Sequence, residues 1–240
     1  MKEVTEVQAK GILFDMDGVL ISSIGSVERC WRRWAEIYEI PNAENFEVPH
    51  GTRAIDIVRM LRPDIDPVEG LRVIEDMEIE DIGDLTVLPG VKKLLESLPQ
   101  ERWAIVTSAT RRLLLGRLAA AGLPVPERLI SGDMVERGKP DPEPYRRGAE
   151  LLGFTPEECL VVEDAPPGVG AGVAAGCRVL AVLGTHSPEE LHAATWRVGS
   201  LEDVTVRANA EGLQIGMNGL CTTSLYVNAC QRHRLASAFS

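Results

Sequence analysis

The sequence predicts an α/β protein: a parallel sheet with helices on both faces, interrupted after its first strand by an all-helical block. Three observations carry this. Short, wholly apolar runs recur and alternate with helical patterns, as strands buried on both faces of a parallel sheet do. Several of these runs stop abruptly at polar residues, Asp15 and Asp17 after the first, Ser108 and Asp164 after later ones. Residues 22–86 keep helical spacing and hold no convincing strand.

The first run, Gly11-Ile12-Leu13-Phe14, ends at two carboxylates one residue apart, Asp15 and Asp17, then at Gly18, which permits a sharp exit. From Ser26 to Ile40 the residues Val27, Cys30, Trp31, Trp34, Ile37 and Tyr38 fall at helical spacing, and Pro41 ends the helix. Two tryptophans on such a stripe read as core. A second helix is expected over Thr52–Leu61, and a third starts with Asp66 as N-cap and Pro67 in the first helical position. Beyond Val87 the alternation begins: helix Val91–Leu98, strand Trp103–Val106, helix Arg111–Ala121 stopped by Gly122, short strand Arg128–Ile130, helix Pro144–Leu152 closed by Gly153, strand Cys159–Val162, small-residue helix Gly168–Gly176, and strand Val179–Leu183. After Glu211 no acid occurs in a chain that has 36 of them, and the remainder does not fit the α/β pattern. The expected division is a core of residues 1–21 and 87–207, a helical block of 22–86, and a C-terminal tail of 208–240.

A net charge of −11 argues against nucleic acid or an anionic membrane as the main partner. It also means that a small anionic substrate needs a local cation. No apolar run approaches membrane-spanning length, and Met1–Lys10 is too charged for a secretory signal. The five cysteines are scattered without CxxC spacing, so zinc and redox readings are weak and inert thiols in a reducing cytoplasm are expected. Gly170-Ala171-Gly172-Val173-Ala174-Ala175 fits a dinucleotide fingerprint formally, but Glu163–Pro167 separate it from its strand; close helix–sheet packing explains it better.

Asp15/Asp17, Ser108, Lys139 and Glu163/Asp164 each follow a strand or lie in a loop of the alternating half, so a parallel sheet can bring them to one edge. Spacing alone leaves a solvent-facing acidic turn as the alternative for Asp15 and Asp17, while Gly18 in the fourth place, not the sixth, argues against a calcium loop. Together the residues supply what phosphoryl transfer needs. Asp15 is the nucleophile, Asp17 the general acid and then base, Ser108 a donor to a phosphoryl oxygen, and Lys139 the neutralising cation. Asp15 and Asp164, with the phosphate, suit Mg²⁺; Glu163 is expected either to bind metal through water or to orient Lys139.

The segments Phe14-Asp15-Met16-Asp17-Gly18-Val19-Leu20, Val106-Thr107-Ser108, Gly138-Lys139-Pro140-Asp141-Pro142 and Val162-Glu163-Asp164 resemble, in order, the four motifs of the haloacid dehalogenase-like hydrolases. The likeness covers roughly residues 10–207. It implies a Rossmann-like three-layer core with an inserted helical cap. Pro49–Asp56, Leu98–Ala104 and Gly138–Tyr145 further resemble the glycerol-phosphate and 2-deoxyglucose-6-phosphate phosphatases. That resemblance implies a Mg²⁺-dependent phosphatase of small sugar or polyol phosphates, working through an aspartyl-phosphate. Its expected site has Asp15, Asp17 and Lys139 as catalytic residues. Ser108, Ala109, Arg53 and His50 would bind phosphate or substrate, and Asp15, Asp17, Asp164 and Glu163 the metal. A small phosphorylated metabolite is the expected partner, and a monomer or weak homodimer the expected state. Val27 and Ala54 stand where phosphomutases of this subfamily carry a cap histidine and arginine, which weighs against a mutase. A non-catalytic phosphometabolite-binding protein is the other alternative, and the intact motifs weigh against it.

Overall fold

The computed structural model describes residues 4–220. β1 (Val4–Ala9) runs directly into β2 (Gly11–Phe14). A tight loop and the short β3 (Ile21–Ser22) lead to α1 (Ile24–Ile37), α2 (Ala54–Leu61) and α3 (Pro67–Glu80). The chain returns through β4 (Thr86–Val87), which pairs antiparallel with β3 and so ties the two ends of the helical block together. Next come α4 (Val91–Glu96), β5 (Trp103–Val106), α5 (Arg111–Ala121), β6 (Leu129–Ile130), α6 (Glu143–Leu152), β7 (Cys159–Glu163), α7 (Pro166–Ala175) and β8 (Arg178–Val182). β9 (Trp196–Val198), β10 (Val204–Asn209) and β11 (Gly212–Asn218) complete it.

Six strands form one parallel sheet in the order β6-β5-β2-β7-β8-β9. Alternate residues of one strand enter opposite layers, because side chains along a strand point to opposite faces. Ile12 and Phe14 join Ile105, Leu160 and Val162 on one face, with Leu94 of α4 and Leu114 and Leu118 of α5. Leu13 joins Ala104, Val106 and Val161 on the other, with Tyr145 and Ala149 of α6 and Ala171 and Ala175 of α7. The small residues of α7 do serve close packing: a Cβ on Gly172 would lie 2.9 Å from Val179. Strand order reverses at β2, which has β5 on one side and β7 on the other. Polar residues just beyond these three strands therefore share the crevice where open α/β sheets bind ligands.

α1, α2 and α3 enclose a separate apolar cluster of Cys30, Trp31, Trp34, Ile57, Val58 and Ile74. Trp34 is its centre, fully buried, with its indole N–H donating to the Gly70 carbonyl at 2.9 Å. The expected caps are present. Asp66 accepts from the Val68 N–H, and Gly122 and Gly153 end α5 and α6 in the left-handed conformation.

The last two strands correct the C-terminal expectation. A tail beginning at residue 208 is not where the ordered fold stops, since β10 and β11 continue through Asn218 and form an antiparallel sheet with β1. Leu213, Ile215 and Met217 of β11 are fully buried in the larger core cluster. The Asn209 side chain accepts from Glu211 and Gly212 N–H groups, which sets the turn between the strands. The remainder of that tail, residues 221–240, lies outside the described residues. If β11 is integral to the core, Ile215→Ala costs roughly 2–5 kcal/mol of stability in urea unfolding; an unchanged midpoint would show that the small sheet is dispensable.

Candidate active site

Asp15 is the first residue past β2, and its N–H still donates to the Val162 carbonyl of β7 at 2.9 Å. The strand ladder therefore fixes its backbone. Glu163 ends β7 and Asp164 follows it; Thr107 and Ser108 follow β5. Lys139 arrives from the loop before α6.

Lys139 is buried, and its ammonium has three acceptors: Asp15 Oδ1 at 2.8 Å, Glu163 Oε1 at 2.7 Å and the Val106 carbonyl at 3.1 Å. These use all three of its N–H bonds. Burial alone would lower its pKa, but the charges of Asp15 and Glu163 outweigh that and hold it above the ordinary ammonium range. Glu163 is equally committed. Its Oε1 also accepts from the Tyr145 hydroxyl at 2.7 Å, and its Oε2 accepts from the Asp164 and Ala165 N–H groups. Burial, reinforced by Glu163, raises the Tyr145 pKa well above its ordinary value, so the phenol stays a donor. With every lone pair engaged, Glu163 orients Lys139 rather than offering itself outward. Gly168 makes room for it, since a Cβ there would lie 1.7 Å from Glu163 Oε1.

Asp15 retains Oδ2, which receives no hydrogen bond from the described residues, on the wall of a cavity of about 400 Å³. Burial pushes its carboxyl up to about 7, with Lys139 pulling the other way. Burial, Glu163 and Asp15 likewise push Asp164 well above the carboxylate range. Asp164 Oδ2 accepts from the Thr185 hydroxyl at 2.5 Å, and Gly18 lies against it at φ 78°, where a Cβ would fall 2.0 Å from that oxygen.

Asp17 faces the cavity but departs from the expected metal set. Its Oδ1 accepts from Arg117 Nη1 at 2.7 Å and from the Ser23 hydroxyl at 3.2 Å. Among the described residues, the carboxylates that converge within 4.8 Å are Asp15, Glu163 and Asp164.

On the side of the helical block, the loop carrying His50, Gly51 and Arg53 meets the core. Ser108 donates to the Gly51 carbonyl at 2.8 Å and does not cap α5, a role taken by Thr110. Ala109 lines the cavity, its N–H engaged with the Thr107 hydroxyl. Arg53 is buried with all five N–H bonds used: two on Asp56, the others on the carbonyls of Gly132, Val135 and Glu136. The expectation that Arg53 reaches substrate is thus corrected: it ties the loop to the core and has no donor left. His50 lines the cavity, half-buried, with its ring 6.1 Å from that of His186. Burial, with His186, lowers its pKa. His186 is half-buried, with its Nδ1 3.0 Å from the Asp164 carbonyl oxygen.

Residues 9–176 match the family model of the haloacid dehalogenase-like hydrolases. Hexitol phosphatase A of Escherichia coli (strain K12) is 39% identical over 211 residues, 86% of this chain and 98% of that protein. The chain belongs to the haloacid dehalogenase-like hydrolases. Glycerol-1-phosphate phosphohydrolase 1 of Saccharomyces cerevisiae is 35% identical, over 72% of this chain and 74% of its own. A hydrolase from Pseudomonas syringae superposes with a TM-score of 0.70 at 25% identity, covering 79% of this chain and 92% of the other.

In this member of the haloacid dehalogenase-like hydrolases, three buried carboxylates face one ammonium, so the cluster fits a divalent cation that would offset the remaining charge. Because Glu163 is saturated, Asp15 and Asp164 are the members with oxygens to give. Arg117, Tyr145 and Thr185 complete the site; Tyr145 closes the family-like stretch Gly138–Tyr145, while Arg117 and Thr185 had no motif to announce them. Their signals are a lone arginine on an otherwise apolar helix face, an aromatic two residues into α6, and a hydroxyl just past β8.

The tie at Arg53 has a test that requires no substrate. A Cβ on Gly138 would lie 2.6–2.8 Å from the Arg53 side chain and has no nearer neighbour. Gly138→Ala should cost about 1–3 kcal/mol in the native chain and close to nothing in an Arg53→Ala background, read by thermal unfolding. Equal costs in both backgrounds would refute the packing.

Proposed function

We propose that the protein is a Mg²⁺-dependent phosphatase of small sugar or polyol phosphate monoesters. One observation carries the reading most directly. A carboxylate at the end of the central strand has one oxygen tied to a buried lysine and the other free on the cavity wall. The named activities of the hexitol and glycerol phosphatase relatives support the substrate class.

Asp15 Oδ2 attacks phosphorus in line with the leaving oxygen, forming an aspartyl-phosphate as the ester P–O bond breaks. Lys139, fixed on Oδ1, keeps the reactive oxygen aimed and offsets developing charge. Asp17 gives its proton to the departing alkoxide. It then takes one from the water whose oxygen displaces Asp15 from phosphorus, releasing phosphate and restoring the carboxylate. Asp15 and Asp164 would hold the Mg²⁺, which when bound supplies positive charge to the phosphoryl oxygens. The helical block acts as a cap whose loop at residues 50–53 shuts the crevice and keeps water from the reaction until it is needed.

Val27 and Ala54, where mutases of the subfamily carry a histidine and an arginine, both line the cavity, so neither position supplies that group. Hydrolysis is therefore favoured over return of the phosphoryl group to a second sugar position. The buried free thiols Cys30, Cys159 and Cys177 support a reducing cytoplasm. Among the described residues no helix is long and apolar enough to cross a membrane. A monomer or weak homodimer completes the proposal.

Release of phosphate from hexitol and glycerol phosphates, with Mg²⁺ and after chelation, tests the reading. Asp15→Asn should abolish turnover, and Asp17→Asn should lower it about 10²–10⁴-fold. With p-nitrophenyl phosphate, whose leaving group needs no proton, Asp17→Asn should accumulate acid-stable label on Asp15. Label on Asp17, or normal turnover by Asp15→Asn, would overturn the assignment. Arg53→Ala should depress both ester classes equally, since its donors are spent on protein.

A further inference from the structure

The mechanism makes no use of Arg117, yet this guanidinium is deeply buried in the seam between cap and core, with its side chain 5% exposed. It stands on α5. Nη1 donates to Asp17 Oδ1 at 2.7 Å and Nη2 to Glu78 Oε2 at 3.3 Å. Glu78 belongs to α3 of the cap and is itself buried. Removing a cation from water is costly unless partners repay it, and apolar replacements of buried ion pairs are often neutral or better for stability. A buried arginine between one carboxylate from the core loop and one from the cap therefore calls for a role other than stability.

We infer that Arg117 is the positioning residue for Asp17, and that the cap engages it through Glu78. The inference rests on the phosphatase reading with Asp17 as acid and base. The Asp17 side chain is 35% exposed and projects from a loop, so among the described residues only the Ser23 hydroxyl shares the task of fixing its direction. Arg117 occupies Oδ1, so Oδ2 is the oxygen that carries the proton to the leaving group and receives it from water. Only when α3 is packed against α5 does Glu78 hold the other end of the guanidinium. The acid–base group is then aligned in the closed state, when water is excluded, and is loose when the cap is open. Attack by Asp15 does not pass through this contact.

Arg117→Ala would strand the buried Glu78, so the test uses Arg117→Lys and the charge-neutral pair Arg117→Met with Glu78→Gln. Glycerol phosphate has a poor leaving group and p-nitrophenyl phosphate a good one. The neutral pair should lose about tenfold or more in kcat on glycerol phosphate beyond any loss in the burst of p-nitrophenol, with KM little moved, a part of the range that acid–base help commands. Arg117→Lys should restore part of it. In an Asp17→Asn background the neutral pair should cause no further loss. Equal losses on both esters, or losses that multiply with Asp17→Asn, would overturn the assignment. Should the native enzyme hydrolyse neither ester, the phosphatase reading falls instead. The contact is then judged by a double-mutant cycle of Asp17→Asn and Arg117→Lys in thermal unfolding, where coupling sustains it and additivity refutes it.

Discussion

The ammonium of Lys139 sits between Asp15 and Glu163 with 1% of its side chain exposed, and much of the site follows from making that burial tolerable. A buried charge is stable only if every donor and acceptor around it is matched. Lys139 spends three N–H bonds on Asp15, Glu163 and the end of β5, and Glu163 spends its remaining lone pairs on Tyr145 and two backbone N–H groups. That demand places a phenol on α6, a glycine at 168 where any Cβ would strike the carboxylate, and the turn after β7 where its N–H groups converge. The outcome is a strand-end carboxylate with one oxygen held still and the other free of hydrogen bonds from the described residues.

The same constraint explains why the site lies at β2. A lysine can reach two strand-end carboxylates and a carbonyl of a third strand only where β5, β2 and β7 lie side by side. The cap meets this edge through a second set of matched charges. Arg53 spends its five N–H bonds on the seam, and Arg117 joins Asp17 to Glu78. Burial pushes the Glu78 carboxyl up to about 7 against the pull of Arg117.

The parallel core was legible because burial on both faces leaves unbroken apolar runs, and because strand ends that hold ligands change abruptly to polar residues. Trp103–Val106 and Arg111–Ala121 coincide with their elements residue for residue. The antiparallel edge was not legible from the same cue. Val204, Val206, Leu213, Ile215 and Met217 alternate with polar or small residues around an Asn209–Gly212 turn, a period of two that a search for solid apolar runs passes over. That Asp15, Lys139 and Asp164 converge could be expected because motif and topology point the same way. The hydrogen-bond partners of Arg53, Glu163 and Asp17 could not be read in advance. Whether a donor is free or already spent depends on partners such as Gly132, Tyr145 and Arg117 that come from distant parts of the chain.

The central claim is that Lys139 immobilises Asp15 Oδ1 and leaves Oδ2 to react. A crystal structure of the enzyme with Mg²⁺ and beryllium fluoride, a mimic of an acyl phosphate, tests it directly. The account predicts the beryllium bonded to Asp15 Oδ2, with Lys139 still on Oδ1 and Glu163 still bound to Lys139 and Tyr145. An adduct on Asp17, or on the Asp15 oxygen that Lys139 holds, would contradict it.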